Sequence, residues 1–148
     1  MSMKSCFLFG HRNAPFSVRP ALSAAIEQQI LQNNVTEFIV GQYGYFDAMA
    51  AGAIRELKTR YPSICLTILL PSHPAERSVE LPKDSNGSFY PPGMEAVPRR
   101  FAIVRANQYM LRHCDSIICY VRNPAGNTYK LLTLARHLGL PAHNLGSL

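Results

Sequence analysis

The sequence has few charges and lacks long apolar runs. Charged residues make up 16% and hydrophobic residues 47% of its 148 residues, a balance typical of a globular chain rather than a disordered one. No apolar run approaches the roughly 20 residues that span a membrane, and the run after Lys4 has no cleavage pattern of a signal peptide. We therefore expect one domain over residues 1–148, no membrane partner and a cytoplasmic location.

Paired cysteines are also lacking. None of the four cysteines forms a C-x-x-C pair, and a zinc site needs closer ligand pairs with suitably spaced histidines. The sequence thus predicts no metal site and reduced, buried thiols instead. The four residues are Cys6, Cys65, Cys114 and Cys119.

Several signatures of nucleotide and nucleic-acid proteins are missing as well. The formal net charge is +6, but the basic residues are scattered and form no run, which disfavours nucleic acid. A small anionic ligand explains a few of these residues, and ordinary solvated surface explains most of them. The chain contains no G-x-G-x-x-G fingerprint, no Walker A motif and no G-x-S-x-G elbow. A standard dinucleotide dehydrogenase site, a P-loop and a serine hydrolase site are therefore not expected.

What the chain does have is a regular alternation of strand and helix patterns. Strands are predicted at residues 5–9, 36–40, 64–70 and 116–121, with a short final one at 142–145. Helices are predicted at about 18–32, 46–57, 99–113 and 128–138, the last burying Leu131, Leu134, Ala135 and Leu138. The pattern predicts an α/β fold, a Rossmann-like parallel sheet between two helical layers in the order 3-2-1-4-5.

Residues 71–98 interrupt this alternation. The segment contains six prolines and two glycines and shows no periodicity. We predict a loop insertion, which either closes over a ligand as a lid or binding segment or is an excursion without a role.

Three strand ends carry short motifs of glycine and polar residues. Gly10-His11-Arg12 follows the first strand, a run from Gly41 to Asp47 follows the second, and residues 123–128 follow the fourth. In a parallel sheet, ligands bind outside the carboxyl ends of the strands. Each motif alone fits a simple turn equally well, but their common edge predicts an anion site.

The side chains in these motifs have distinct candidate roles. The Arg12 guanidinium suits phosphate or carboxylate, and His11 either binds phosphate or transfers protons near neutral pH, or packs on the sheet. The small residues Gly126 and Thr128 would let a phosphate approach a helix N-terminus. The Asp47 carboxylate either caps the N-terminus of its helix or accepts a hydrogen bond from a sugar hydroxyl.

Further candidates flank the same edge. The rings of Tyr43 and Tyr45 either stack on a nucleobase or pack against the rest of the protein. The Asn107 side chain is expected to hydrogen-bond to a loop rather than to a ligand. Arg99 and Arg100 begin a helix, an unfavourable place for cations without an anion partner. No catalytic residue is assigned. The residues predicted to bind ligand are Gly10, His11, Arg12, Gly41, Tyr43, Gly44, Asp47, Arg99, Gly126, Asn127 and Thr128.

The order of motifs along nearly the whole chain resembles that of the SLOG superfamily, which includes the LOG phosphoribohydrolases and DprA. The motifs are Gly10-His11-Arg12, Gly41-x-x-Gly44-x-x-Asp47-x-x-Ala50, Tyr61-Pro62, Asn107-x-x-Met110 with Cys114-Asp115, and Gly126-Asn127-Thr128. The G-H-R motif is typical of the YpsA-like branch. The resemblance implies a Rossmann-like fold, a nucleotide or ADP-ribose-like ligand at these loops, no required cofactor and a homo-oligomer.

Two departures from the family pattern bear on function. LOG hydrolases carry P-G-G-x-G-T-x-x-E, whereas here Asn127 replaces a glycine and Leu131 stands in place of the glutamate. The YpsA-like R-N-x-x-M motif also changes, because Ala106 precedes Asn107 and Arg105 lies one place earlier. We therefore expect a phosphorylated small molecule to be bound for sensing or regulation. The alternatives are an N-glycosidic hydrolase using Asp47 or Glu95, and DNA binding by analogy with DprA.

Overall fold

A computed structural model describes residues 3–77, 80–82 and 84–147. Its strands are β1 (Lys4–Gly10), β2 (Val35–Val40), β3 (Cys65–Leu69), β4 (Gly87–Phe89), β5 (Ser116–Tyr120) and β6 (Ala142–Asn144). Its helices are α1 (Arg19–Asn33), α2 (Tyr45–Leu57), α3 (Ala102–His113) and α4 (Asn127–His137). Short 3-10 turns lie at Phe16–Val18, Met94–Ala96 and Arg99–Phe101.

All six strands are parallel and form one sheet in the order β4-β3-β2-β1-β5-β6. The central strand β1 pairs with both β2 and β5, so that Phe7 lies opposite Ile39 on one side and Ile117 on the other. The predicted Rossmann-like α/β fold is confirmed. The five predicted strands keep the order 3-2-1-4-5, and the difference is an additional strand, β4, at the edge beside β3.

The two faces of the sheet are covered by different helices. Along β1, Cys6 and Leu8 belong to the core that includes buried residues of α1 and α2, whereas Phe7 and Phe9 belong to the core with α3 and α4. This alternation follows from the period of two in a strand. Because β1 is buried on both faces, its sequence is the continuous apolar run expected of a central parallel strand.

The buried face of α4 differs from the predicted one. Leu132 is fully buried, whereas Leu138 is 38% exposed, so the prediction that Leu138 points inward was wrong. The reason is that α4 ends at His137, and Leu138 lies in the helix cap rather than on the helical face.

The proline-rich segment contains regular structure that its sequence did not predict. β4 pairs with β3, with Leu69 opposite Phe89. Asn86, just before β4, accepts hydrogen bonds through Oδ1 from the Leu66 N–H at 2.8 Å and from Lys58 Nζ at 2.6 Å. Its own N–H donates to the Leu66 carbonyl at 2.8 Å. Asn86 thus fastens the segment to β3 and α2.

The end of β5 is held by the last residue of β6 and by the chain that follows it. The Asn144 side chain accepts a hydrogen bond from the Val121 N–H at 2.9 Å and donates to the Val121 carbonyl at 3.0 Å, as a neighbouring strand would. A side chain at Gly146 would collide with the Val121 backbone. This packing fixes the point where the β5–α4 loop begins.

The four cysteines form no disulfide bond. Cys6, Cys114 and Cys119 are buried, as predicted, but Cys65 is half-buried because it begins β3 and is not enclosed by the core. Within the described ranges, no helix is both long and apolar enough to cross a membrane.

Candidate functional site

A cavity of about 210 Å³ lies at the carboxyl end of the central strands, between the sheet and helices α3 and α4. It gathers predicted residues from all three loops. Those residues are Gly10, Arg12, Gly41, Tyr43, Asp47, Asn127 and Thr128. The remaining lining comes from β1 and from α3 and α4, namely Phe7, Leu8, Phe9, Ile103, Val104, Asn107, Gln108, Lys130, Leu131 and Leu134.

Close backbone contact joins the first two loops. The Tyr45 N–H donates to the Arg12 carbonyl at 2.8 Å. A Cβ atom at Gly44 would lie 2.6 Å from the Arg12 Cα, nearer than packing permits. Gly44 has an extended φ of 169°, so glycine is required here for the close approach. Although Gly44 is not a lining residue among those described, it places Arg12 beside the α2 N-terminus.

The buried Asp47 and the half-buried Tyr43 are hydrogen-bonded to each other in the cavity wall. Asp47 Oδ2 accepts a hydrogen bond from the Tyr43 N–H at 3.0 Å, and the residue is only 7% exposed. Burial raises the pKa of Asp47 to about 6, against the opposing effects of this hydrogen bond and of Arg12. Asp47 thus holds a proton at higher pH than a solvated carboxyl does.

The Tyr43 hydroxyl is buried and has no hydrogen-bond partner within the described part of the chain. Burial, together with the nearby Asp47 carboxylate, raises the Tyr43 pKa and keeps the phenol neutral. A buried hydroxyl without a partner is costly.

The N-terminus of α4 supplies backbone donors. Gly126 precedes the helix with a φ of 90°, a conformation that favours glycine, and no side chain caps the helix. Asn127 and Thr128 in the first turn line the cavity, although Gly126 does not. The unsatisfied N–H groups and the helix dipole make this end suitable for an anion. Lys130 adds a cation to the same wall.

His11 lies outside the cavity lining of the described residues. Its Nε2 accepts a hydrogen bond from the Arg122 N–H at 2.9 Å, and its ring packs edge-on against Tyr120 with the centroids 5.9 Å apart. Partial burial lowers the pKa of His11. The structure thus gives this imidazole a contact between two loops, and its ligand role stays a prediction.

Other candidates do not line the cavity. Arg99 and Arg100 are exposed in a 3-10 turn, since α3 begins only at Ala102, and neither is among the lining residues. The Arg100 guanidinium lies 4.8 Å from the centre of the Phe101 ring. Glu95 is exposed. No described residue of segment 71–98 lines the cavity, so the lid role also stays a prediction.

Several lining residues were not among those predicted to bind ligand. Asn107, which was expected to hydrogen-bond to a loop rather than to a ligand, lies in the cavity wall. Lys130 was missed, although it follows Asn127 by three positions and therefore shares its helical face. Leu131, where LOG hydrolases have glutamate, also lines the cavity and is 7% exposed.

No protein-family model matches the sequence, and no curated protein matches it. Among solved structures, the X-ray structure of DNA processing protein A (DprA) from Streptococcus pneumoniae matches with a TM-score of 0.64 and 15% sequence identity over 96% of this chain. The chain spans 50% of the length of that protein chain. The match supports the Rossmann-like fold that the SLOG resemblance implies, and this chain is similar in fold to DprA.

Proposed function

We propose that the cavity binds a nucleotide or a nucleotide-derived phosphorylated ligand, and that the protein senses or regulates through it. One observation carries this proposal. Loops from β1, β2 and β5 meet at one cavity, where the uncapped N-terminus of α4 lies with the cations Arg12 and Lys130. We further propose that the chain is a SLOG-superfamily protein of the YpsA-like branch.

Each part of the cavity suits a different part of such a ligand. A phosphate accepts hydrogen bonds from the first turn of α4 and pairs with Arg12 and Lys130. A sugar hydroxyl forms hydrogen bonds with Asp47 and Asn107, which line the same cavity. No cofactor or metal takes part in this scheme.

A sensing role is favoured over LOG-type hydrolysis because of Leu131. Leu131 lines the cavity, and the sequence motif aligns it with the glutamate of LOG hydrolases. A leucine transfers no proton. The prediction of a cytoplasmic homo-oligomer belongs to the same proposal.

Thermal-shift and calorimetric titration with nucleotides, ribose 5-phosphate and ADP-ribose tests the proposal. We expect ligand to stabilise the fold by mass action, and Arg12→Gln to weaken binding about tenfold or more, because charged hydrogen bonds contribute about 1.5–3 kcal/mol. Arg100→Gln is the control, since Arg100 lies outside the cavity. Absence of binding by the whole panel contradicts the proposal.

A second candidate is N-glycosidic hydrolysis, and the environment of Asp47 favours it. A buried carboxyl with a pKa of about 6 is suited to proton transfer near neutral pH. Hydrolysis would break the C1′–N bond, with the hydroxyl of water going to C1′ and a proton to the base. Release of free base from nucleoside monophosphates is the assay, and Asp47→Asn should abolish it. Glu95→Gln separates Asp47 from the other acid considered.

DNA binding is the third candidate, since the fold is similar to that of a DNA processing protein. It predicts an affinity that falls steeply as salt rises. A nucleotide bound in the cavity makes fewer charged contacts and shows a shallow salt dependence.

A further inference from the structure

A second hollow lies on the other side of the β1–α1 loop. It is a groove of about 550 Å³ between the N-terminal ends of α1 and α2. Two aromatic side chains in its lining are strongly exposed, Phe16 at 75% and Tyr45 at 69%. Ala14, Ala48 and Met49 complete the apolar lining, although Ala14 and Met49 are themselves buried.

The groove and the cavity share one wall. Arg12 lines the cavity and the next residue, Asn13, lines the groove. Likewise Tyr43 lines the cavity and Tyr45 the groove, with Gly44 between them. Since consecutive Cα atoms are 3.8 Å apart, the Cα atoms of these tyrosines are at most about 7.6 Å apart. The two hollows are therefore lined by residues that are near neighbours in the chain in both loops.

The sizes of the two hollows differ in an informative way. The cavity, at about 210 Å³, is smaller than the roughly 300–1,000 Å³ usual for small-molecule sites. It suits a phosphate and a sugar better than a whole nucleotide. The groove supplies the missing volume beside it.

The chemistry of the groove suits an uncharged planar ring. Its only charged lining residue is Arg19 among those described, and that guanidinium is already paired with Glu56 Oε2 at 3.0 Å. A second phosphate would find no free cation in this lining. Aromatic side chains, by contrast, bind bases by stacking, because every base has a π-face.

We propose that the groove between Phe16 and Tyr45 binds the aromatic base of the ligand whose phosphate lies in the cavity. This inference rests on the proposed function, because it assigns a second part of the same ligand. It identifies the ligand as a nucleotide extended across the shared wall at Arg12 and Gly44, and it gives Phe16 and Tyr45 the role of selecting a base-bearing phosphate over a bare sugar phosphate.

The first test compares AMP with ribose 5-phosphate by calorimetry. Stacking predicts that the wild-type protein binds AMP about tenfold or more tightly than ribose 5-phosphate. The double variant Phe16→Ala/Tyr45→Ala should lose this difference and keep its affinity for ribose 5-phosphate. Phe101→Ala is the matched control, because Phe101 is an exposed aromatic outside both hollows.

A fluorescent variant gives an independent measurement. The sequence contains no tryptophan, so Tyr45→Trp places a single indole in the groove. AMP should quench its emission by stacking, whereas ribose 5-phosphate should leave the emission unchanged.

The outcomes separate the two proposals. If ribose 5-phosphate binds but the base adds no affinity, or if the double variant behaves like Phe101→Ala, the base site is wrong and the cavity remains. If neither compound binds, the cavity proposal fails and the base site fails with it. Quenching by both compounds would also overturn the base site.

Discussion

The Asp47 carboxyl group is almost completely buried. Its ionisation should therefore make the free energy of unfolding depend on pH. Burial raises its folded-state pKa to about 6 from an ordinary 3.8. The folded protein then binds the proton more tightly than the unfolded chain does. Stability is therefore expected to fall as pH rises from about 4 to about 6, and to change little from this group above that range.

Asp47→Asn should remove this dependence. At about 1.4 kcal/mol per pKa unit, the variant should gain about 3 kcal/mol over the wild type near neutral pH and almost nothing near pH 4. Urea unfolding at several pH values measures the difference. Glu95→Gln, at an exposed position, should leave the pH profile unchanged. Parallel profiles for wild type and Asp47→Asn would contradict the burial argument.

Gly44 determines how closely the first two site loops approach each other. In Gly44→Ala the new methyl group would meet the Arg12 backbone, with the carbonyl oxygen at 2.8 Å. We expect a loss of about 1–3 kcal/mol in unfolding free energy and weaker ligand binding, because Arg12 moves.

Gly52→Ala is the matched control for this substitution. Gly52 lies inside α2, and its nearest neighbour to a new Cβ is Arg19 Nη1 at 3.5 Å, an ordinary contact. Since alanine is the better helix former, this variant should gain up to about 1 kcal/mol. Equal losses in both variants would show that close packing at Gly44 is not the cause.

At the scale of elements, Asn86 connects the proline-rich segment to the sheet. Asn86→Ala removes the acceptor for the Leu66 N–H and for Lys58 Nζ. We expect a cost of about 1–3 kcal/mol from the unsatisfied donor and faster proteolytic cleavage within residues 71–98. Asn33→Ala, which loses only an exposed bond to Gln29, is the comparison. Unchanged cleavage would mean that Asn86 does not hold the segment.

The elements that could be predicted are those in which a hydrophobic pattern extends over most of the element. β1, β3 and β5 are mostly apolar runs, β2 ends in the apolar residues Phe38, Ile39 and Val40, and α2 has a clear apolar face. β4 could not be predicted, because Gly87 and Ser88 are poor strand formers and the strand has only three residues. Its position depends on the side chain of Asn86, which no periodicity reveals.

The candidate site was predictable in its loops but not in its side-chain directions. The three strand-end motifs indicated where the cavity would lie. Successive residues of a loop, however, face different hollows: Arg12 lines the cavity and Asn13 the groove, while His11 contacts a backbone N–H. Such directions depend on backbone dihedrals that have no period, so residue spacing could not supply them.

For the whole molecule, the cysteines report on the integrity of the core. Burial raises the pKa of Cys6, Cys114 and Cys119 to about 12, and thiols react as thiolates. In the native protein only the half-buried Cys65 should react quickly with a thiol reagent, whereas all four should react in guanidinium. Cys65→Ser should remove the fast phase. Two or more fast thiols in the native protein would contradict this account of the core.

The pairing of β1 with β5 has a consequence for the order of folding. It joins segments far apart in the chain, since Ser5 and Asp115 at its start are 110 residues apart and hydrogen-bonded. Contacts of such separation form slowly, because loop closure must precede them. The first three strands can associate earlier, but the cavity needs α4, which follows β5. Ligand binding should therefore be acquired only in the last phase of refolding, later than most of the helical signal.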